Sequence, residues 1–157
     1  MKKSLSPTQW VGLAVSGLML AVFVMHLLPY WSYQGQSVSI AGYVIRPYEH
    51  STFTELFRSY FGKKYRITLL FGLPMVLSMV GSLLGSVLCV IRCRKWASYL
   101  VPVACGLLGI YGLLAGQPYR LSGMWLPMVI LHALVLIVGI VGMILAIKTS
   151  KKPAIPA

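Results

Sequence analysis

Four apolar runs, each close to the ~20 residues a helix needs to cross about 30 Å of hydrocarbon, leave this chain little choice of fold. They cover residues 7–28, 67–91, 97–116 and 123–147. A backbone in lipid must satisfy its own hydrogen bonds, so each run reads as a helix. The expected architecture is an all-α membrane protein: one domain over 1–157, built as a four-transmembrane-helix bundle. Composition points the same way. The chain is 58% hydrophobic and only 10% charged, with mean hydropathy +0.81, whereas a soluble domain carries roughly 25% charged residues.

Local signals mark the ends of the spans. Ser6-Pro7-Thr8-Gln9 combines a capping serine, a proline suited to the first helical position and a glutamine able to close a capping box. Pro29 stops the first run, Arg92-Cys93-Arg94-Lys95 the second and Gln117-Pro118 the third. The 10–28 run is long for a signal peptide and no small-x-small cleavage site follows closely, so it reads as a retained anchor. The tail, 149–157, reads as disordered. Lys2, Lys3, Arg92, Arg94, Lys95, Lys148, Lys151 and Lys152 lie on one side of the bilayer; Arg46, Arg58, Lys63, Lys64, Arg66 and Arg120 lie on the other. The first set sits in short segments hugging the spans, which the positive-inside rule assigns to the cytoplasm. Both termini are therefore expected there, in a multi-pass cell-membrane protein. The net charge of +12 lies at the edges of apolar runs, so membrane lipids are its expected partner and nucleic acid is not.

The 30–66 loop is then extracytoplasmic. A two-residue turn at Gly35-Gln36 would pair Tyr33 with Val38, Ser32 with Ser39 and Trp31 with Ile40. This gathers Trp31, Tyr33, Val38 and Ile40 on one face of a β-hairpin. Tyr43-Val44-Ile45 offers a third strand. Thr52-Phe53-Thr54-Glu55 is a capping box that opens a short amphipathic helix with Phe53, Leu56, Phe57, Tyr60 and Phe61 at helical spacing. Arg58, Lys63, Lys64 and Arg66 would meet lipid headgroups. The loop is expected to fold as a small cap whose apolar residues, Phe53 and Phe57 among them, are available for interaction.

Small residues form stripes on the spans: Gly81 and Gly85 on the second, Cys105, Gly109, Gly112 and Gly116 on the third, Gly139, Gly142 and Ala146 on the fourth. On the first span Gly12 pairs with Ser16, and Gly17 with Ala21. Such faces let helix backbones approach closely, either within one bundle or against a partner's helix. Histidine and methionine form a second pattern. His26 with Met25, Met75 with Met79, and Met124, Met128 and His132 fall near the same side of the membrane. Thioether and imidazole together suit Cu(I), but methionine also fills apolar gaps and histidine also bonds between helices. The expectation is therefore no cofactor, with His26, His132, Met75, Met79 and Met128 as the metal candidates. Cys89 and Cys93, one turn apart beside three cations, read as small interfacial residues.

The only acids, Glu49 and Glu55, lie in the loop. Proton coupling usually needs an acid inside a span, and acid–base hydrolysis usually needs a carboxylate or an oriented histidine. No enzyme activity and no catalytic residues are expected. The order of parts resembles the claudin-type tetraspan plan, which implies cytoplasmic termini, a stranded first outer loop and a short helix before span two. The tryptophan and cysteine pair that mark that family's loop are missing here: Trp31 stands alone, and the loop has no cysteine. No function is carried over. The reading reached is a non-enzymatic accessory or assembly subunit of a larger membrane complex, associating with other subunits or with itself. The alternative is a lipid-, metal- or solute-handling protein that uses the outer half of the bundle.

Overall fold

A computed structural model describes residues 5–29, 31–33, 36–45, 72–115 and 124–150. Its four long helices are α1 (Pro7–Leu27), α3 (Leu73–Ile91), α4 (Leu100–Ala115, entered through a 3-10 turn at Trp96–Tyr99) and α5 (Trp125–Ser150). A six-residue helix, α2 (Ile40–Ile45), lies between the first two. All four long helices are long and apolar enough to cross a membrane. The chain is a four-span, multi-pass membrane protein.

Each long helix packs against its neighbours in sequence, and α5 closes the ring on α1. The start of α1 and the end of α5 therefore lie at one end of the bundle, called here the terminal end. The end of α1 and the start of α3 lie at the other, the loop end. The buried positions explain this arrangement. On α1 they are Thr8, Gly12, Val15, Met19, Val22 and His26; on α5 they are Met128, His132, Val135, Gly139, Gly142 and Ala146. Both sets alternate steps of four and three, the seam that left-handed bundles bury. The inside is smaller and more polar than the outside. Ser78, Ser82, Ser86 and both span histidines are buried, while Leu20, Leu84, Leu107 and Ile137 are among the many large aliphatics left facing outward. Lipid tails are as apolar as leucine, so burying leucine gains nothing here and close fit decides which face turns in.

Several helix ends differ from expectation. α1 starts as predicted: the Ser6 N–H donates to Gln9 Oε1 at 2.8 Å, with Pro7 in the first position. α5 runs to Ser150, three residues beyond the expected 147. The Thr149 hydroxyl bonds the Leu145 and Ala146 carbonyls and the Ser150 hydroxyl bonds that of Ile147. The Ser150 hydroxyl thus satisfies one of the last four carbonyls, which lack an intrahelical N–H, while the Thr149 hydroxyl adds to bonds of the turn before.

The loop corrects the sequence reading more strongly. The expected half-buried hairpin with Tyr33 opposite Val38 is not supported. Trp31–Tyr33 and Gln36–Val38 run antiparallel over three residues a side, with Trp31 opposite Val38 and Tyr33 opposite Gln36. So short a pairing does not make a sheet able to stand alone, and the architecture is all-helical. Ile40 is not a hairpin residue and Tyr43-Val44-Ile45 is not a strand: all four belong to α2. The physical reason is a cap. The Ser39 hydroxyl accepts the Gly42 N–H at 2.9 Å, so the serine that looked like one face of an alternating strand begins a helix instead. Ile40 and Ala41 are buried, with α2 against the loop ends of α1 and α3. The expected helix from Thr52, with Phe53, Phe57, Arg58, Lys63, Lys64 and Arg66, lies outside the described residues, as do Gly116 and the 67–71 start of span two.

Candidate functional site in the loop-end core

The span glycines set the distances at which everything else meets. Eight of the nine in the long helices have atoms of another element where a side chain would begin: Gly12, Gly81, Gly85, Gly106, Gly109, Gly112, Gly139 and Gly142. Gly81 faces the Cys105 sulfur, Gly85 the Met19 methyl, and Gly139 the Pro102 ring, which a Cβ on Gly139 would approach to 3.2 Å. A side chain on Gly112 would run into the Met75 methyl, and one on Gly109 into the His132 ring. The predicted stripes Gly81/Gly85, Gly109/Gly112 and Gly139 thus turn inward. Gly17 alone among the nine has open space where a side chain would begin.

These approaches create a buried polar layer near the loop end. α1 brings His26, α3 brings Met75 and Ser78, and α5 brings Met128 and His132. All are at most 1% exposed. The space for the His132 ring exists because Gly109 carries no side chain. The two imidazoles meet edge to face, with centroids 5.5 Å apart and planes at 75°. Their orientation comes from their own helices: His26 Nδ1 lies 2.7 Å from the Val22 carbonyl, and His132 Nδ1 lies 2.8 Å from the Met128 carbonyl. A carbonyl only accepts, so in each ring Nδ1 carries the hydrogen, and in the neutral tautomer Nε2 carries the lone pair.

The two Nε2 atoms then differ. His132 Nε2 lies 3.2 Å from the Ser78 hydroxyl, which is also 3.2 Å from the Cys105 carbonyl. One hydroxyl hydrogen therefore serves two acceptors. His26 Nε2 is buried and has no hydrogen-bond partner among the described residues. Such an atom in a dry core costs free energy unless something fills its lone pair.

Sequence reasoning named both histidines, Met75 and Met128, and the fold brings all four into this layer. Met79, the fifth candidate, is only partly buried. It missed Ser78 as the histidine's partner, although the i, i+3 spacing from Met75 to Ser78 placed both on one face. It also missed Tyr99 at the terminal end. Fully buried, its hydroxyl lies 3.0 Å from the Cys93 carbonyl and 3.3 Å from that of Thr8. Its ring fills the space left by Gly142. Cys89 and Cys105 are buried, Cys93 half-buried, and all three are free thiols. Among the described residues, no three of histidine, cysteine, aspartate and glutamate cluster as a metal-ligand group. No protein family, curated protein or solved structure matches the chain.

Proposed function

We propose that this chain is a non-enzymatic accessory or assembly subunit of a larger membrane complex, with both termini in the cytoplasm. Gly17 carries the reading. The other eight glycines described in the long helices meet neighbouring elements inside the bundle, but Gly17 opens outward between exposed Leu13, Leu20 and Val24. A mid-helix glycine costs about 1 kcal/mol relative to alanine, and lipid returns nothing for the missing side chain. A partner helix does, because its backbone can approach there. In this reading the loop residues Trp31, Tyr33, Val38, Phe53 and Phe57 add a second contact beyond the membrane surface.

The test is native co-purification in mild detergent, comparing the wild type with Gly17→Leu. A partner or second copy retained by the wild type and lost in the variant supports the proposal. A single monomer peak for both, with nothing accompanying it, overturns it. Orientation is tested separately by a cysteine introduced at Gln36, expected to be labelled only from outside.

A further inference from the structure

We propose that His26 and His132, with the thioethers of Met75 and Met128, form a buried site for one soft monovalent metal ion, Cu(I) being the biological member of that class. Four observations converge on it. His26 Nε2 is fully buried and unpartnered among the described residues, a lone pair without a use in the bundle. Both rings donate Nδ1–H to a backbone carbonyl, the outer contact that metal-ligating histidines almost always make. That contact fixes the tautomer, leaving His26 Nε2 free to bind and His132 Nε2 with only its 3.2 Å contact to the Ser78 hydroxyl. The ring centroids are 5.5 Å apart, compatible with one ion about 2 Å from a nitrogen of each. Met75 on α3 and Met128 on α5, one turn before His132, are fully buried, and methionine's flexible, polarisable side chain can turn its sulfur toward the ion.

The chemistry selects the ion's class. Every donor is neutral, and neither acid of the chain lies in a span. A divalent ion would bring two uncompensated charges into a low-dielectric core, a far larger desolvation cost than one charge. Imidazole with thioether suits a soft ion, whereas Mg²⁺ and Ca²⁺ take oxygen ligands. Ser78 completes the arrangement. When His132 Nε2 turns to the ion, the serine hydroxyl keeps its bond to the Cys105 carbonyl, so loading orphans no polar group.

Ag(I), which mimics Cu(I) and resists oxidation, is the probe. Full-length protein labelled with 15N-histidine is titrated in detergent and followed by NMR. The expected result is saturation at one equivalent, with the Nε2 signals of two of the three histidines moving and His50 remaining still. His26→Leu and His132→Leu are each expected to weaken binding at least 100-fold, and Met75→Leu and Met128→Leu about tenfold. Met79→Leu changes nothing. Methionine-to-leucine exchange conserves core volume, so the methionine variants test the site even if a histidine variant fails to fold. The proposal is overturned if neither span histidine responds to Ag(I). It is equally overturned if Met75→Leu and Met128→Leu together leave the affinity unchanged.

Discussion

The terminal-end and loop-end halves of this bundle use the same device to different ends. In both, a glycine gives way to a ring from another element: Gly142 to Tyr99 at one end, Gly109 to His132 at the other. At the terminal end the ring's polar atom is spent, because the Tyr99 hydroxyl reaches the carbonyls of Cys93 and Thr8 and ties the 3-10 turn to α1. At the loop end the account stays open, with one serine hydrogen between two acceptors and His26 Nε2 unpartnered. A phenol needs one acceptor, and helix ends supply exposed carbonyls. An imidazole has two nitrogens, and a helix interior satisfies only the one that can donate. A tyrosine makes a lock, and a histidine pair leaves a lone pair available.

Substitutions can break or sharpen this contrast. Gly142→Val should have the largest effect, because its side chain meets the Tyr99 ring; overpacking of this kind costs about 3 kcal/mol. It would show as a lower melting temperature in detergent, followed by reaction of the buried Cys89 and Cys105 with a fluorogenic maleimide. Tyr99→Phe keeps the ring and removes the hydroxyl, so a loss of about 1 kcal/mol is expected in the same assay. No change there would mean that packing alone closes the terminal end. Ser16→Ala removes a bond to the Ser86 carbonyl, 2.7 Å long, between α1 and α3. A loss of about 0.6 kcal/mol is expected, the average for such bonds in membranes. His26→Leu should be the smallest in the metal-free protein and opposite in sign. Removing a buried, unpartnered nitrogen leaves the melting temperature unchanged or slightly raised. A loss as large as that of Tyr99→Phe would show that the two ends are not built differently.

Much of the bundle was legible before its coordinates. The spans followed from run length, and α1 began where Ser6, Pro7 and Gln9 said it would. The loop was less legible because Ser39 has two roles open to it: a polar position in an alternating strand or a cap for the next three residues. Only the contacts of Ile40 and Ala41 with α1 and α3 select the second. Tyr99 was passed over for a related reason. Near a run of cations it resembles an interfacial aromatic, and its burial depends on Gly142, 43 positions further along the chain.

The sequence by itself determined that the chain crosses the membrane four times, where its first two spans stop, and that no acid enters a span. Those properties are local: apolar length, capping residues and charge are set by neighbours in the chain. Tertiary structure alone decided which way the glycines face. A small residue stabilises a helix pair only when another backbone is present to approach it, and nothing within one helix specifies that backbone. The same holds for the histidines. His26 and His132 are 106 positions apart, and their meeting, with one nitrogen left bare, comes from the closing of α5 onto α1.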